Sequence, residues 1–406
     1  MYQAFASCTP GLEPLVVAEL RACGVSGIPE RGGVAWEGDL ASVYRANLWL
    51  RVASRVTVRA ASFSARSFFE LERHARQVPW ARFVSAGQTV GFRVTSRKSR
   101  LYHTDAIAER LAKSVTSAVR GAVATAGALA DDEADDADLA ASGADSQGFV
   151  VRVIRDRCTV SADSSGALLY LRGWRLATAR APLRETLAAA VIAGSLWDPA
   201  TPFLDPMCGS GTLAIEAALV ARGIAPGISR DFAFSRWPGF DREAWRGLVD
   251  EARGAARPPG TTAPIRASDR DEGAVTAARA NAERAGVGTD VRVETLPLSA
   301  AESAGSDGYS SGALVTNPPY GVRVGDRVAL RDLYAAFGRL ARARFPGWQV
   351  AFLSADPTLT RQTGLDVHEA FRTTNGGIPV RLMRGSMLLH TQRDSDLGND
   401  GIILSV

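Results

Sequence analysis

Between residues 183 and 353 the apolar pattern switches repeatedly between two periods, and this alternation limits the chain more than any other feature. Short segments with apolar or alternating character at 202–204, 264–267, 291–294, 313–316 and 349–353 read as strands, and helical patterns occupy 183–196, 212–222, 272–285 and 330–344. Strands that alternate with helices run parallel, because each helix returns the chain to the end it left. The fold class expected is α/β, an open and mostly parallel sheet with ligands at the carboxyl ends of its strands.

The first of these strands enters Phe203-Leu-Asp-Pro-Met-Cys-Gly-Ser-Gly-Thr-Leu-Ala-Ile-Glu216, a glycine-rich turn that opens a helix. Gly209 and Gly211 allow a tight bend and close backbone approach, and the helix N-terminus offers amides to an anionic group. The dinucleotide fingerprint is not met, because Ala214 stands where its third glycine belongs and the phosphate-loop lysine is absent. A cofactor with a carboxylate and no phosphate fits better, and S-adenosylmethionine is the common one. The candidate cofactor residues of the turn are Asp205, Pro206, Met207, Cys208, Gly209, Ser210, Gly211 and Thr212. Asp269, at the end of the second strand, can accept hydrogen bonds from both ribose hydroxyls. Taken alone, it could equally cap the helix that begins near Asp271.

The fourth strand stops at Asn317-Pro-Pro-Tyr320. Two prolines cannot extend a sheet ladder and each restricts the residue before it, so the backbone is stiff and extended. An Asn side-chain carbonyl and a proline carbonyl held in this way can accept both hydrogens of an exocyclic amine, while an aromatic ring stacks on its base. The candidate catalytic residues are therefore Asn317, Pro318, Pro319 and Tyr320, with Asn317 also beside the cofactor. Accepting those hydrogens turns the nitrogen lone pair toward a methyl group, so catalysis would be largely positioning. A lone Asn-Pro pair marks an ordinary turn; this longer motif at the end of a fourth strand is far more specific.

The N-terminal half has a different character. Residues 2–8 read as a strand, 11–23 as an amphipathic helix with Leu12, Leu15, Val16 and Leu20 on one side, and 42–50 as a second helix, with Gly32-Gly33 in a hairpin. Ferredoxin-like packing is the natural expectation. Further strands are expected at 55–63, 89–95, 149–154 and 158–161, and helices at 68–77 and 105–120. From Arg45 to Arg120 there are 15 Lys and Arg against 4 Asp and Glu, whereas Gly121 to Val150 holds 7 acids and no base. Basic excess displaces counterions from a phosphate backbone and fits a nucleic-acid binder, although an arginine-rich genome gives the same count. Arg97, Lys98 and Arg100, interleaved with serines before a helix, suit either phosphate contacts or a solvated loop. The acidic run 131–138, within an expected insertion at 128–147, reads as low-complexity surface chain.

No apolar run approaches a membrane span, and the N-terminus lacks a signal-peptide layout, so the cytoplasm is the expected location. Cys8, Cys23, Cys158 and Cys208 show no C-x-x-C pairing, and His74, His103, His368 and His390 no ligand spacing, so neither disulfides nor metal are expected. A cytosine C5-methyltransferase needs a cysteine on its catalytic loop, and Cys208 lies in the cofactor turn instead.

Asp205-Pro-Met-Cys-Gly-Ser-Gly-Thr212 and Asn317-Pro-Pro-Tyr-Gly321 resemble the cofactor and catalytic motifs of class I amino-methyltransferases. Arg172-Gly-Trp-Arg175, Ala181-Pro-Leu-Arg-Glu-Thr-Leu-Ala-Ala-Ala190, Arg222-Gly-Ile-Ala-Pro-Gly227 and Phe234-Ser-Arg-Trp-Pro-Gly-Phe240 resemble the bacterial large-subunit ribosomal RNA guanine-N2-methyltransferases of the RlmL type, over roughly residues 1–390. Ser96-Arg-Lys-Ser-Arg-Leu-Tyr-His103 resembles the THUMP RNA-binding domain that precedes their catalytic domain. The resemblance implies a ferredoxin-like domain at 1–55, a THUMP domain at 56–175, a Rossmann-like methyltransferase domain at 176–392 and a tail at 393–406. It also implies methyl transfer from S-adenosylmethionine to guanine N2 in 23S rRNA, with tRNA as the second choice of substrate. A duplex target base would be turned out of its stack and held by Tyr320. The same resemblance adds Thr186 and Leu298 to the cofactor residues, and Tyr102, His103 and Arg172 to the RNA-binding ones. Many relatives carry an acid after the third strand to contact the adenine amine. Here Pro297 stands near that place, so the adenine would depend on backbone groups at 296–298. Two rivals are a DNA adenine methyltransferase, expected to bring a target-recognition domain, and an RNA-binding assembly factor with an idle methyltransferase fold.

Overall fold

A computed structural model describes residues 1–129, 146–175, 183–302, 309–320 and 327–387. The acidic run 131–138, Ala181 and Pro182, Gly321, and the tail 393–406 lie outside the described residues. The chain divides into two compact units, Met1–Gly173 with Ala225–Ala255, and Trp174–Ile224 with Ala256–Val406.

The first unit contains β1 (Tyr2–Ser7), α1 (Glu13–Ala22), β2 (Ile28–Glu30), β3 (Gly33–Gly38), α2 (Leu40–Trp49), β4 (Arg55–Ser64), α3 (Phe68–Ala75), β5 (Thr89–Arg97), α4 (Thr104–Ala118), β6 (Val123–Leu129), β7 (Gln147–Ile154) and β8 (Arg157–Asp163). All eight strands form one sheet, ordered β2-β3-β1-β4-β8-β7-β5-β6. The sheet runs through the border expected near residue 55, since β4 pairs antiparallel with β1 on one side and β8 on the other. β6, which local pattern did not suggest, pairs parallel with β5. Ala128, Leu129 and Gln147 are therefore strand residues and not part of an insertion. Period-two alternation places Phe92, Val94, Phe149, Val151, Val153, Cys158 and Val160 in the core. There Trp80 packs edge-on against Phe92 and Phe149, and its indole N–H bonds Ser114 of α4 at 3.1 Å.

Ala225–Ala255, expected within 176–392, clusters with this first unit. Its aromatic residues have their partners there: Phe234 and Trp245 pack on Tyr44, and Trp237 packs on Phe83 and donates to Gln147 Oε1 at 2.8 Å. The segment ends in α7 (Arg242–Ala255), which follows two helices of the second unit in the chain.

The second unit contains those two helices, α5 (Glu185–Ser195) and α6 (Thr212–Ala221). It continues with β9 (Phe203–Asp205), β10 (Ile265–Asp269), α8 (Glu272–Arg284), β11 (Val291–Thr295), β12 (Ala313–Thr316), α9 (Arg327–Arg344), β13 (Gln349–Ser354), α10 (Pro357–Gln362), β14 (His368–Asn375) and β15 (Ile378–Ser386). The sheet order is β11-β10-β9-β12-β13-β15-β14. The five strands expected from the sequence pair parallel, and the hairpin β14–β15 is added antiparallel to β13. All four residues of β12 are buried, as an apolar strand covered on both faces requires. Its Leu314 joins Leu204, Tyr334, Phe337, Phe345, Trp348 and Phe352 in one core. Among the described residues, no helix is long and apolar enough to cross a membrane.

Candidate functional site

β9 lies between β10 and β12, so the sheet order reverses at this strand, and the carboxyl ends of β9 and β12 are where an open α/β sheet places its ligand. The turn after β9 puts Gly209 at φ +51° and Gly211 at φ +85°, a left-handed backbone that favours glycine. A Cβ on Gly211 would meet Ala278 Cβ at 2.9 Å, so that glycine lets α6 close on α8; a Cβ on Gly209 would meet nothing within 4 Å. The turn is tied down from several sides. Cys208 N–H donates to the Ser268 carbonyl at 2.9 Å, Gly209 N–H to Asp269 Oδ2 at 3.0 Å, and Asn281 Nδ2 to the Ser210 carbonyl at 3.1 Å. Asp269 Oδ1 accepts from Asp271 N–H at 3.0 Å, and the cap of α8 is Asp271 itself, which accepts from Gly273 and Ala274. Asp269 is thus held against the glycine turn, with carboxylate lone pairs left for a ligand.

Asp205 is buried, and its Oδ1 accepts from Thr316 Oγ1 at 2.7 Å and Met207 N–H at 3.2 Å. Burial pushes this carboxyl up to about 7, against the two hydrogen bonds and with a smaller push from Asp269. Thr316, which sequence reasoning missed, ties the end of β9 to the residue before Asn317. Burial also raises the Cys208 thiol well above its ordinary value, which disfavours the nucleophilic thiolate.

Asn317 follows β12 with its Oδ1 buried and without a hydrogen-bond partner. Pro318 is buried and Pro319 exposed. The Tyr320 hydroxyl accepts from Asn375 Nδ2 at 2.8 Å, and burial raises its phenol. Asn375, also missed, closes β14 at a two-residue turn in which Gly376 and Gly377 have φ +54° and +79°. The sequence Asn-Gly-Gly carried that hairpin signal.

Thr186 is buried on α5, and Ser210 is buried in the turn. The Thr212 hydroxyl accepts from Arg175 Nη2 at 2.8 Å, and Arg175 also donates to Glu185 Oε1 and the Leu183 carbonyl, each at 2.9 Å. Arg175 therefore braces the start of α5 against the start of α6. Burial raises the Glu185 carboxyl while Arg175 opposes that shift. Leu298 packs its side chain, like Met207, against the core. Leu296 N–H already donates to the Asp269 carbonyl at 2.9 Å, so it is not open to an adenine.

In the first unit, Arg97 at the end of β5 and Lys98, Arg100, Tyr102 and His103 on the loop from β5 to α4 are all exposed. The main chain of this loop is fixed: Ser96 Oγ donates to the Leu101 carbonyl at 2.5 Å, and Arg100 N–H to Asp156 Oδ1 at 2.8 Å. The Tyr102 and His103 rings lie 4.1 Å apart. Arg172 departs from its expected place on an RNA surface. It is buried, and its guanidinium donates to the carbonyls of Leu169 and Arg51, each at 2.7 Å. Main-chain carbonyls satisfy its charge where a phosphate was expected to.

Comparison with known proteins agrees with this architecture. "Ribosomal RNA large subunit methyltransferase K/L" of Syntrophotalea carbinolica is 36% identical over 386 residues, which is 93% of this chain and 53% of that protein. The chain thus spans about half the length of such curated relatives. "Putative RNA methyltransferase slr0064" of Synechocystis sp. is 33% identical over 382 residues, 94% of this chain and 95% of that protein. The crystal structure of SMU.472, "a putative methyltransferase complexed with SAH", superposes with a TM-score of 0.81 at 29% identity, covering 94% of this chain and 97% of that one. Family models match at residues 3–57, an RlmL ferredoxin-like domain, and at residues 172–384, an RMKL-like methyltransferase domain. The glycine turn, the buried Asp205 and the Asn317 exit all fall within the second match, and the chain belongs to the RMKL-like methyltransferase family.

Proposed function

We propose that this protein is an S-adenosylmethionine-dependent RNA methyltransferase of the cytoplasm that modifies the exocyclic N2 of a guanine in 23S rRNA. The observation that carries this reading is the buried, unpartnered Oδ1 of Asn317 at the carboxyl end of β12. An orphaned buried acceptor costs about 1–3 kcal/mol, which favours a site where a ligand supplies the missing donor. The turn fits the cofactor: the space over Gly209 is open, and Asp269 retains acceptor capacity.

S-adenosylmethionine would supply an electrophilic methyl group on a sulfonium. The protein's own residues bind and orient. Asp269 would accept from ribose hydroxyls, the N-terminus of α6 would take the carboxylate through amides other than those of Gly209 and Gly211, which are bonded within the turn, and the backbone at Pro297 and Leu298 would border the adenine. Asn317 Oδ1 and the Pro318 carbonyl hold the two amine hydrogens, which turns the nitrogen lone pair toward the methyl group. Tyr320 stacks on the base, steadied by Asn375. A THUMP-like region at 56–175 would grip RNA through Arg97, Lys98, Arg100, Tyr102 and His103. The names of the relatives support large-subunit ribosomal RNA as the substrate.

Mass-spectrometric nucleoside mapping of RNA from cells with and without the gene tests this reading. We expect 2-methylguanosine to vanish from one site in 23S rRNA; its loss from a tRNA alone would move the substrate, and no loss would refute the activity.

A further inference from the structure

The loop from Ser96 to His103 is not the whole basic surface of the first unit. Cross-strand register builds two rows over four adjacent strands: Thr95, Arg152, Thr159 and Ser62 in one, and Arg97, Ile154, Arg157 and Ser64 in the other. Neighbouring residues on the same strands, Val94, Val151, Val153, Cys158 and Val160, are buried in the core, so these rows occupy the opposite face of the sheet. Arg97, Arg152, Ile154, Arg157 and Ser64 are exposed.

Both rows combine arginines with small hydroxyls, and neither contains an acid. Arg157 Nε donates to Ser62 Oγ at 3.1 Å, which points its guanidinium across the face, and the Arg152 guanidinium lies 5.6 Å from the Phe5 ring. The carboxylate of Asp156, in the turn joining β7 to β8, is already engaged by Arg100 N–H at 2.8 Å and Arg66 at 3.7 Å. The same turn is fastened to the loop, because Arg155 N–H donates to the Arg97 carbonyl at 3.2 Å. Loop and sheet face are therefore one continuous cationic surface.

We infer that this face is a second contact for the RNA phosphate backbone, continuous with the loop and carried by Arg152 and Arg157. It rests on the RNA reading proposed above. Arginines on a flat face lined by hydroxyls, with no aromatic ring in either row, suit phosphates and sugars rather than stacked bases.

The full chain should be titrated with a fluorescein-labelled RNA hairpin over a range of salt concentrations, for the wild type, Arg152→Ala/Arg157→Ala and Arg152→Lys/Arg157→Lys. Arg253→Ala on α7, an exposed cation beside Asp250, serves as a control for lost charge elsewhere. Each phosphate contact contributes roughly 0.9 to the slope of log affinity against log salt on a duplex, so the double alanine variant should lose roughly 2. The double lysine variant should restore most of that loss, since a point charge suffices, and the control should match the wild type. Thermal melting establishes that each variant is folded. An unchanged slope in the double alanine variant overturns this surface while leaving the RNA reading intact. A wild type that fails to bind RNA overturns both.

Discussion

Two strand exits carry the proposed activity, and they are built in opposite ways. β12 ends at Asn317, whose acceptor is buried, next to Thr316, whose hydroxyl is spent on a buried carboxylate. β5 ends in a loop whose main chain is pinned by Ser96 and Asp156 while Arg97, Lys98 and Arg100 extend into water. At the first, a partner that cannot donate leaves an acceptor stranded in low dielectric, so the site discriminates. At the second, charges are screened by salt and individually weak, so they add without choosing. Chemistry and grip thus call for opposite degrees of burial.

The comparison is broken most directly at Asn317. Asn317→Ala should reduce single-turnover methyl transfer by on the order of 10²–10³, while cofactor affinity by equilibrium dialysis changes far less. Retained turnover would remove the assigned role. Asp205 tests whether burial governs this site. Its carboxyl is raised from 3.8 to about 7, so the folded chain holds a proton that the unfolded chain has released. That contribution is complete below the unfolded value and is lost as pH rises through the folded one. Relative to Asp205→Asn, the wild type should therefore lose roughly 2–3 kcal/mol of stability between about pH 5 and about pH 8, read from denaturant melts. A constant difference across that range would mean the carboxyl is not shifted.

Smaller still is the effect expected at the hairpin. Asn375→Ala and Tyr320→Phe remove the same hydrogen bond, so each should cut kcat/KM for RNA by roughly tenfold and the double variant should be little worse than either. Full additivity would show that the two side chains act separately. The least change belongs to the exposed loop. Lys98→Ala should lower the salt slope of RNA binding by roughly 1 and leave thermal stability near wild type. A large loss of stability there would contradict the contrast between the two exits.

The strands of the parallel sheet were legible because each is a short segment rich in apolar residues set between helical patterns, and the two motifs because their residues are neighbours in the chain. The bonds that complete the site join distant positions: Thr316 to Asp205 across 111 residues, Asn375 to Tyr320 across 55, and Arg175 to Thr212 across 37. Nothing local signals such pairs. β14 was missed because an edge strand with a single buried residue lacks a clear period, although the Asn-Gly-Gly turn beyond it was visible. Arg172 was assigned to RNA by resemblance alone; carbonyls from two segments distant in the chain hold its guanidinium in the interior instead.

By itself the sequence determined the parallel sheet, the glycine turn and the stiff exit at Asn317. Period, the missing Cβ and the proline ring act on the adjacent backbone whatever surrounds them. Only the tertiary structure decided that Asp205 is buried against Thr316, that Ala225–Ala255 packs with the first unit, and that Arg152 and Arg157 share an open face. Burial, dielectric and cross-strand register depend on atoms delivered from far along the chain.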